Sequence, residues 1–320
     1  MFGPDARLLI VAAVLDLAIG DPDYSWHPVR LVGRSLTAVE RILRRLGLDG
    51  YGGGIVLFLA LSAGWLFALM MLVRLSSAIH AVAGLTAHVF VLYSLLALGS
   101  LLRHGQAIET AVRQGDLAGA RVAVGRLVGR DTDRMDAGAL RRAAIESLSE
   151  NLTDGVISPL FWYVVGGLPA LVVFKVVSTM DSMVGYKTPE YLRFGWCGAR
   201  LDDVMNWIPA RLSLAVIAAV AAVLPGGSAW KAVSIGWSQH ARVPGPNSGW
   251  SEAATAGALR RRLVGPIWNG GRQVTDVWLG DPDDPPLESA RDYSRGSLLV
   301  ALAGVAAAIL AAGAIVLPGA

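Results

Sequence analysis

The chain has 320 residues, of which 54% are hydrophobic and only 17% are charged, and its formal net charge is +3. A soluble domain carries roughly 25% charged residues, so this composition excludes an ordinary water-soluble protein and points to lipid as the solvent. The single cysteine excludes a disulfide scaffold. Because no basic run alternates with aromatic residues, nucleic acid is not expected as a partner.

Six apolar segments follow one another along the chain. Five are long enough to cross a bilayer, since a transmembrane helix needs about 20 residues. The sixth, at residues 8–20, is short and contains Asp16. This pattern predicts an all-α, polytopic integral membrane protein with four to six membrane segments, in one integral membrane domain over residues 1–320. The five longer segments are residues 55–73, 78–102, 155–174, 208–229 and 297–318.

Basic residues are unevenly distributed among the loops that join these segments. If all six segments cross, the loops at residues 21–52, 103–154 and 230–296 share one side and hold 21 of the 28 Lys and Arg residues. Because short basic loops stay in the cytoplasm, these loops are predicted to be cytoplasmic. The protein is then a multi-pass protein of the inner (cytoplasmic) membrane with both termini outside.

A second topology fits the charges better. Gly166, Gly167 and Pro169 predict a break in the apolar segment at residues 155–180, because Gly and Pro together interrupt a helix. If this segment and residues 208–229 enter the membrane and return, residues 103–296 all lie in the cytoplasm. Four true spans then remain, and hydropathy alone leaves both topologies open.

The polar loop at residues 103–154 is predicted to be a cytoplasmic helical hairpin. Apolar residues recur at helical spacing over residues 118–128 and again over residues 140–148. Asp116 and Asp136 are predicted N-caps, and Gly129 is predicted to end the first helix. Residues 230–296 are predicted to form cytoplasmic helices and loops.

Three carboxylates are spaced four residues apart at the end of this hairpin. Glu146, Glu150 and Asp154 would lie on one helix face, where like charges repel. A cation is therefore expected among them, either Arg142 one turn back or Mg²⁺. The alternative is a solvated helix face with an Arg142–Glu146 ion pair.

A carboxylate and an ammonium group flank a glycine where the next apolar segment ends. Asp181, Gly185 and Lys187 stand in the sequence Asp-Ser-Met-Val-Gly-Tyr-Lys. Backbone N–H groups at a glycine, together with a lysine, can hold phosphate. The alternative is a juxtamembrane anchor.

A second polar stretch precedes the segment at residues 208–229. Asp202, Asp203 and Asn206 are predicted to share one short helix and to face Mg²⁺. Arg211 lies where the hydrocarbon begins, so it needs a partner or a polar cavity, unless it extends to the interface.

Turn residues precede an alanine-rich helix later in the chain. The sequence Pro246-Asn247-Ser248-Gly249 is typical of a turn, and Ser251 is the predicted N-cap of the helix that follows.

Together, these stretches resemble one family, the membrane-bound CobD or CbiB proteins of cobalamin biosynthesis, which are adenosylcobinamide-phosphate synthases. The resemblance runs from about Leu15 to about Asp281. Five motifs carry it in order: Leu15-Asp16 with Gly20-Asp21-Pro22 and His27-Pro28-Val29-Arg30; Glu146-Ser-Leu-Ser-Glu-Asn-Leu-Thr-Asp-Gly155; Asp181-Ser-Met-Val-Gly-Tyr-Lys187; Asp202-Asp203 through Asn206 to Pro209-Ala210-Arg211; and Pro246-Asn247-Ser-Gly-Trp250 with Glu252-Ala-Ala.

The resemblance implies an ATP-dependent amide ligase that requires Mg²⁺. Such an enzyme joins a carboxylate of adenosylcobyric acid to (R)-1-amino-2-propanol or its O-phosphate, giving adenosylcobinamide or its phosphate. The implied partners are the corrinoid, the aminopropanol and the lipid bilayer. A homo-oligomer and a complex with other membrane enzymes of the pathway both stay open.

The residues and the resemblance together give a hypothesis for the site, in which distant polar groups meet at the inner leaflet. Predicted catalytic residues are Glu146, Asp181, Lys187 and Glu252, with Glu252 accepting the proton of the amine. Predicted metal ligands are Glu146, Asp154, Asp181, Asp202 and Asp203. Predicted nucleotide and substrate contacts are Glu150, Asn151, Asp154, Arg200, Asn206, Arg211, Asn247 and Ser248.

Two other classes of function fit parts of the sequence. A non-catalytic membrane sensor of the AmpE-like type would share the scaffold but has no need of Asp181 and Lys187 together. A corrinoid transporter would use Asp16, Arg211 and the broken segment at residues 155–180. ATP binding would distinguish the ligase from the sensor, and corrinoid uptake without ATP would favour the transporter.

Overall fold

The computed structural model describes residues 2–20 and 24–317, which form thirteen α-helices and four short strands. The helices are α1 (Ala6–Ile19), α2 (Pro28–Arg45), α3 (Tyr51–Ile79), α4 (Ala81–Ser94), α5 (Leu98–Arg113), α6 (Leu117–Gly125), α7 (Ala137–Leu152), α8 (Ser158–Val184), α9 (Trp196–Met205), α10 (Trp207–Val223), α11 (Ala229–Gln239), α12 (Ser248–Leu259) and α13 (Ala290–Val316); the strands are β1 (Leu263–Val264), β2 (Ile267–Asn269), β3 (Arg272–Thr275) and β4 (Trp278–Leu279). A π-helical turn at Thr153–Ile157 joins α7 to α8. The strands pair antiparallel, β1 with β4 and β2 with β3.

Four helical stretches of the described chain are long and apolar enough to cross a membrane. They are Tyr51–Ile79, Ala81–Arg113, Ala137–Val184 and Ala290–Val316, and the bent pair α9 and α10 gives a fifth if it counts as one span. Helix α1 has only 14 residues, fewer than the about 20 that a span needs. The predicted all-α, polytopic membrane protein is confirmed.

The predicted break in the apolar segment at residues 155–180 is confirmed within α8. Gly166 and Gly167 leave helical geometry, and Gly167 has a φ of 65°, a left-handed conformation that favours glycine. The amide of Leu168 donates to the carbonyl oxygen of Phe2 at 3.0 Å, which satisfies a donor that the break leaves unpaired. Re-entry of this segment from one side of the membrane stays a prediction.

Both predicted N-caps of the hairpin are confirmed. The Asp116 carboxylate accepts from the amide of Gly119 at 2.8 Å, and the Asp136 carboxylate accepts from the amide of Ala139 at 2.7 Å. The prediction that the first helix ends at Gly129 is wrong, because α6 ends at Gly125. A tighter turn follows α6, in which the amide of Leu127 donates to the carbonyl oxygen of Val124, three residues earlier, at 2.8 Å.

The four strands lie within residues 230–296, where only helices and loops were predicted. They are two to four residues long, too short to show the alternating pattern of a strand. Gly270 and Gly271, both at positive φ, make the turn between β2 and β3.

The chain divides into two compact units, which are described separately. Unit 1 contains Met1–Ala97, Ser158–Asn206 and Ala308–Ala320; unit 2 contains Leu98–Ile157 and Trp207–Ala307. The core of unit 1 joins α2, α3 and the second half of α8. Buried side chains from α2 recur at spacings of four and seven, which place them on one face of an amphipathic helix. The core residues are Val32, Leu36, Leu43, Leu57, Leu61, Val176, Met180, Val184 and Phe194.

Helix α12 forms the centre of unit 2. Every residue from Gly249 to Leu259 is buried, and α12 packs against α7, α10 and α11. Small residues allow this close approach, because a Cβ atom at Gly257 would lie 2.2 Å from the carbonyl oxygen of Lys231 in α11. The site residues on α12 are therefore held by backbone packing.

Replacing Gly257 by Ala is expected to destabilise the protein strongly. The added Cβ atom meets backbone atoms of α11, which cannot move as a side chain can, and overpacking of this kind costs about 1–3 kcal/mol or more. We expect a lower thermal unfolding temperature in detergent. Gly64→Ala is the control, because a Cβ atom there has no neighbour within 4 Å. Equal unfolding temperatures for the two variants would contradict this packing.

Candidate functional site

Three predicted aspartates come together in unit 1. Helix α9 packs closely on the end of α8, since a Cβ atom at Gly198 would lie 2.8 Å from the Cβ atom of Met180. This contact brings Asp202 and Asp203 of α9 near Asp181 of α8, so that the three charges interact. We call Asp181, Asp202 and Asp203 the aspartate cluster.

A chain of buried hydrogen bonds fixes one carboxylate of the aspartate cluster. The hydroxyl of Ser158 donates to Oδ1 of Asn206 at 2.5 Å, and Nδ2 of Asn206 donates to Oδ2 of Asp202 at 2.9 Å. Ser158 and Asn206 are 0% and 1% exposed. Because an ionised carboxylate only accepts hydrogen bonds, Asp202 orients the amide of Asn206 with its NH2 group towards the carboxylate, and Oδ1 is left to accept from Ser158. Asn206 was predicted from the sequence, whereas Ser158 was not, because a serine beside the apolar segment gives no signal of its own.

A cation that acts on the aspartate cluster and was not predicted from the sequence is Lys175. Lys175 lies on α8, and its charge interacts with that of Asp202. Placing a lysine inside a membrane segment costs free energy unless a polar group interacts with its charge. Its position in an apolar stretch was therefore the signal that could have identified it.

Two of the three cations predicted from the motifs, Lys187 and Arg200, lie at the surface. Lys187 is exposed in the connection between α8 and α9. Arg200 is also exposed, and its guanidinium lies 3.4 Å from the carboxylate of Asp203. Both side chains are accessible to a ligand from outside the protein, as contacts to a phosphate require.

Three predicted glutamates come together in unit 2. Glu146 and Glu150 lie on α7, and Glu252 lies on α12, which packs against α7. Asp154 follows in the π-helical turn, a geometry often found at functional sites. We call Glu146, Glu150, Asp154 and Glu252 the glutamate cluster.

Arg130 is the cation that pairs directly with the glutamate cluster. Its guanidinium lies 2.8 Å from the carboxylate of Glu146, and both side chains are largely buried. The charge of the predicted Arg142 also acts on Glu146, but the alternative of an Arg142–Glu146 ion pair is wrong, because Arg142 pairs with Glu288 at 2.8 Å and lies over the ring of Trp278. Arg130 lies in the connection between α6 and α7, so helical spacing gives no sign of the contact.

Glu252 is the most buried carboxylate of the glutamate cluster, with 4% of its surface exposed. Burial raises the pKa of Glu252 well above its usual range, and the charges of Glu146, Glu150 and Asp154 raise it further, while Arg130 opposes them. Desolvation and like charges disfavour the ionised form, so this carboxyl group holds a proton more tightly than an exposed glutamate does.

Two further predicted contacts, Asn151 and Ser248, form local hydrogen bonds. The amide of Asn151 donates to the carbonyl oxygen of Ser147 at 2.9 Å, and the hydroxyl of Ser248 donates to the carbonyl oxygen of Pro244 at 3.3 Å. Asn247 is buried and precedes the first residue of α12. The prediction that Ser251 caps α12 is wrong, because the helix begins at Ser248 and Ser251 lies inside it.

Carboxylate oxygens are the ligands that Mg²⁺ prefers, and the aspartate cluster supplies them. Among residues 2–20 and 24–317, no group of three or more His, Cys, Asp or Glu side chains is arranged to hold a metal ion by itself. Mg²⁺ bound with a nucleotide takes one or two carboxylates and fills its remaining positions with phosphates and water. The donor set therefore fits Mg²⁺ carried by a nucleotide, and the assignment of each ligand stays a prediction.

The chain was compared with known proteins. The model of the family described as CobD/Cbib protein matches residues 9–300. The chain belongs to this family. Asp21 and Pro22, which are part of the first motif, lie outside the described residues. The match covers the residues of both acidic clusters.

Relatives of similar length support the membership. The cobalamin biosynthesis protein CobD of Pelobacter propionicus is 42% identical over 282 residues, which cover 88% of this chain and 87% of the relative. The cobalamin biosynthesis protein CbiB of Salmonella typhimurium is 41% identical over 275 residues, 85% of this chain and 86% of the relative. The cobalamin biosynthesis protein CobD of Sinorhizobium sp is 41% identical over 284 residues, which cover 86% of this chain and 87% of the relative. No solved structure matches the chain.

Proposed function

We propose that this CobD/CbiB protein is an ATP-dependent amide ligase of cobalamin biosynthesis. It joins adenosylcobyric acid to (R)-1-amino-2-propanol or its O-phosphate, with Mg²⁺ accompanying the nucleotide. The observation that carries the proposal is Glu252, a carboxyl group that is 4% exposed among three other acids inside the family region. A sensor or a corrinoid transporter has no need of such a group on a helix held by close backbone packing.

The reaction needs two steps, because an unactivated carboxylate does not react with an amine. A carboxylate oxygen of the corrinoid first attacks the γ-phosphorus of ATP, forming an acyl phosphate and releasing ADP. The amine then attacks the acyl carbon, and inorganic phosphate leaves. The attacking nitrogen loses a proton, which a base must accept.

The residues of the chain supply the charge and the base. Mg²⁺ would neutralise phosphate charge when bound with the nucleotide. Asp202, held by Asn206, would orient the metal, and Lys187 and Arg200 would contact phosphate oxygens. Glu252 would accept the amine proton, and its burial would keep water from the acyl phosphate.

The membrane is proposed to be the inner membrane, with the polar loops in the cytoplasm, as the basic residues favour.

The proposal is tested with purified protein in detergent. Adenosylcobyric acid, Mg-ATP and aminopropanol phosphate are supplied together, then with each component omitted in turn. We expect an amide product, identified by mass spectrometry, only in the complete mixture. A synthase known to make this amide controls for the substrates. A product-free reaction beside an active control would show that the proposal is wrong.

Replacing Lys187 by Ala is expected to lower turnover by about 10² if the ammonium group contacts ATP. Lys187 is exposed, so its loss leaves the fold intact. Turnover is measured as amide formed per minute at several ATP concentrations. Arg74→Ala is the matched control, an exposed cation of unit 1 that lies outside the motifs. A Lys187→Ala rate within twofold of the wild-type rate would remove Lys187 from the site.

A further inference from the structure

Arg211 is held between two indole rings in unit 2. Its Cζ atom lies 3.9 Å from the ring centroid of Trp207 and 4.7 Å from that of Trp250. Its Nη1 donates to the carbonyl oxygen of Trp207 at 2.6 Å, one turn back in α10. Stacking and this bond fix the plane of the guanidinium group.

Two more rings extend the stack around Trp250. The ring of His240 lies parallel to the indole at 3.8 Å, with 17° between the planes, and Trp237 meets it edge-on at 5.5 Å. Trp250 is 4% exposed, whereas Trp207 and Trp237 are 52% and 69% exposed. The buried indole of Trp250 therefore contacts the rings of His240 and Trp237 and the guanidinium of Arg211. We call Trp207, Arg211, Trp237, His240 and Trp250 the aromatic platform.

The charge of the aromatic platform is not neutralised within its unit. A guanidinium group has five N–H donors, and Arg211 directs one of them to a backbone oxygen. None of the described carboxylates of unit 2 forms an ion pair with Arg211. An unneutralised arginine in an apolar helix such as α10 costs free energy, so binding of an anionic partner to Arg211 would be favoured.

We propose that the aromatic platform binds a flat conjugated ring that carries an anionic oxygen group. The exposed indoles offer faces for stacking, and the fixed guanidinium offers paired donors for a carboxylate or a phosphate. The inference rests on the proposed ligase function, which supplies two such molecules, a corrinoid carboxylate and ATP. It gives Arg211 a more specific role than a general contact to phosphate.

Exposed tryptophans also anchor proteins at the membrane interface, and this is the competing interpretation of Trp207 and Trp237. An anchor requires exposed indoles, but it requires neither parallel ring stacking nor a guanidinium group between two rings. Trp230 provides the comparison within the same unit. It is 79% exposed and lies outside the aromatic platform.

The test compares four variants in nanodiscs of one lipid composition: Trp207→Ala, Trp207→Phe, Arg211→Ala and Trp230→Ala. Amide formation is measured at varied adenosylcobyric acid and, separately, at varied ATP. Equilibrium binding of each compound is measured without the other. We expect Trp207→Ala and Arg211→Ala to raise KM and Kd about tenfold for one of the two compounds, with kcat changed less. Trp207→Phe keeps a ring and should retain most of the affinity.

The compound whose KM rises identifies which ring the aromatic platform holds. Trp230→Ala should leave every constant within twofold of the wild-type value. Unchanged KM and Kd for both compounds in Trp207→Ala and Arg211→Ala would overturn the inference, and so would an equal effect of Trp230→Ala. If the wild type makes no amide, the proposed function is wrong, and the binding measurements still decide for or against the platform.

Discussion

Replacing Glu252 by Gln is expected to lower the rate of amide formation by about 10² or more, the usual size of general-base catalysis. Gln has the shape of Glu but cannot accept the proton of the amine. The wild-type rate should also rise with pH through the pKa of Glu252, which burial raises well above the ordinary value. The measurement is kcat/KM between pH 5 and 9, and Glu252→Gln should lose this rise.

The same substitution is expected to stabilise the protein at neutral and alkaline pH. A raised pKa in the folded state means that the protonated form favours folding. Its contribution is fully present below the unfolded value of about 4.3 and is lost as the pH rises through the folded pKa. Thermal unfolding temperature should therefore fall less with rising pH in Glu252→Gln than in the wild type.

Glu190→Gln provides the control for both measurements. The side chain of Glu190 is 63% exposed in unit 1, and the same change of charge there should leave the rate within twofold of the wild type. A Glu252→Gln variant with the wild-type rate and the wild-type pH dependence would remove Glu252 from the reaction.

Replacing Asp202 by Asn is expected to lower turnover by about 10² and to raise the Mg²⁺ concentration needed for half-maximal rate. In the wild type, Nδ2 of Asn206 donates to Oδ2 of Asp202 and holds the carboxylate in one orientation. An amide at position 202 lacks the negative charge that attracts Mg²⁺ and can present its own N–H groups to Asn206. Turnover is measured against Mg²⁺ at saturating ATP.

Asp49→Asn is the matched control for this variant, since Asp49 is an exposed aspartate of unit 1. Its half-saturating Mg²⁺ concentration should equal that of the wild type. If Asp202→Asn also keeps the wild-type value, the aspartate cluster does not bind the metal that accompanies ATP.

Features that depend on a few neighbouring residues were predictable from the sequence. The caps at Asp116 and Asp136 follow from side chains that reach an amide three residues away, and the break at Gly167 follows from a backbone that only glycine adopts easily. The membrane helices follow from long apolar runs. In each case, the cause lies within one or two helical turns of its effect.

Partners from distant parts of the chain were not predictable. Arg130 rather than Arg142 pairs with Glu146, and Ser158 donates to Asn206 across 48 residues, because tertiary packing decides both contacts. The platform around Arg211 joins three helices for the same reason. Spacing along one helix shows which residues share a face, but it does not show what that face meets.

The central claim is that ATP activates a corrinoid carboxylate, and an isotope measurement tests it most directly. Adenosylcobyric acid with ¹⁸O in both oxygens of the reacting carboxylate is converted by the purified protein with Mg-ATP and aminopropanol phosphate. An acyl phosphate requires one ¹⁸O atom to appear in the inorganic phosphate released with each amide. Amide formed without ¹⁸O in any phosphate product would contradict the account.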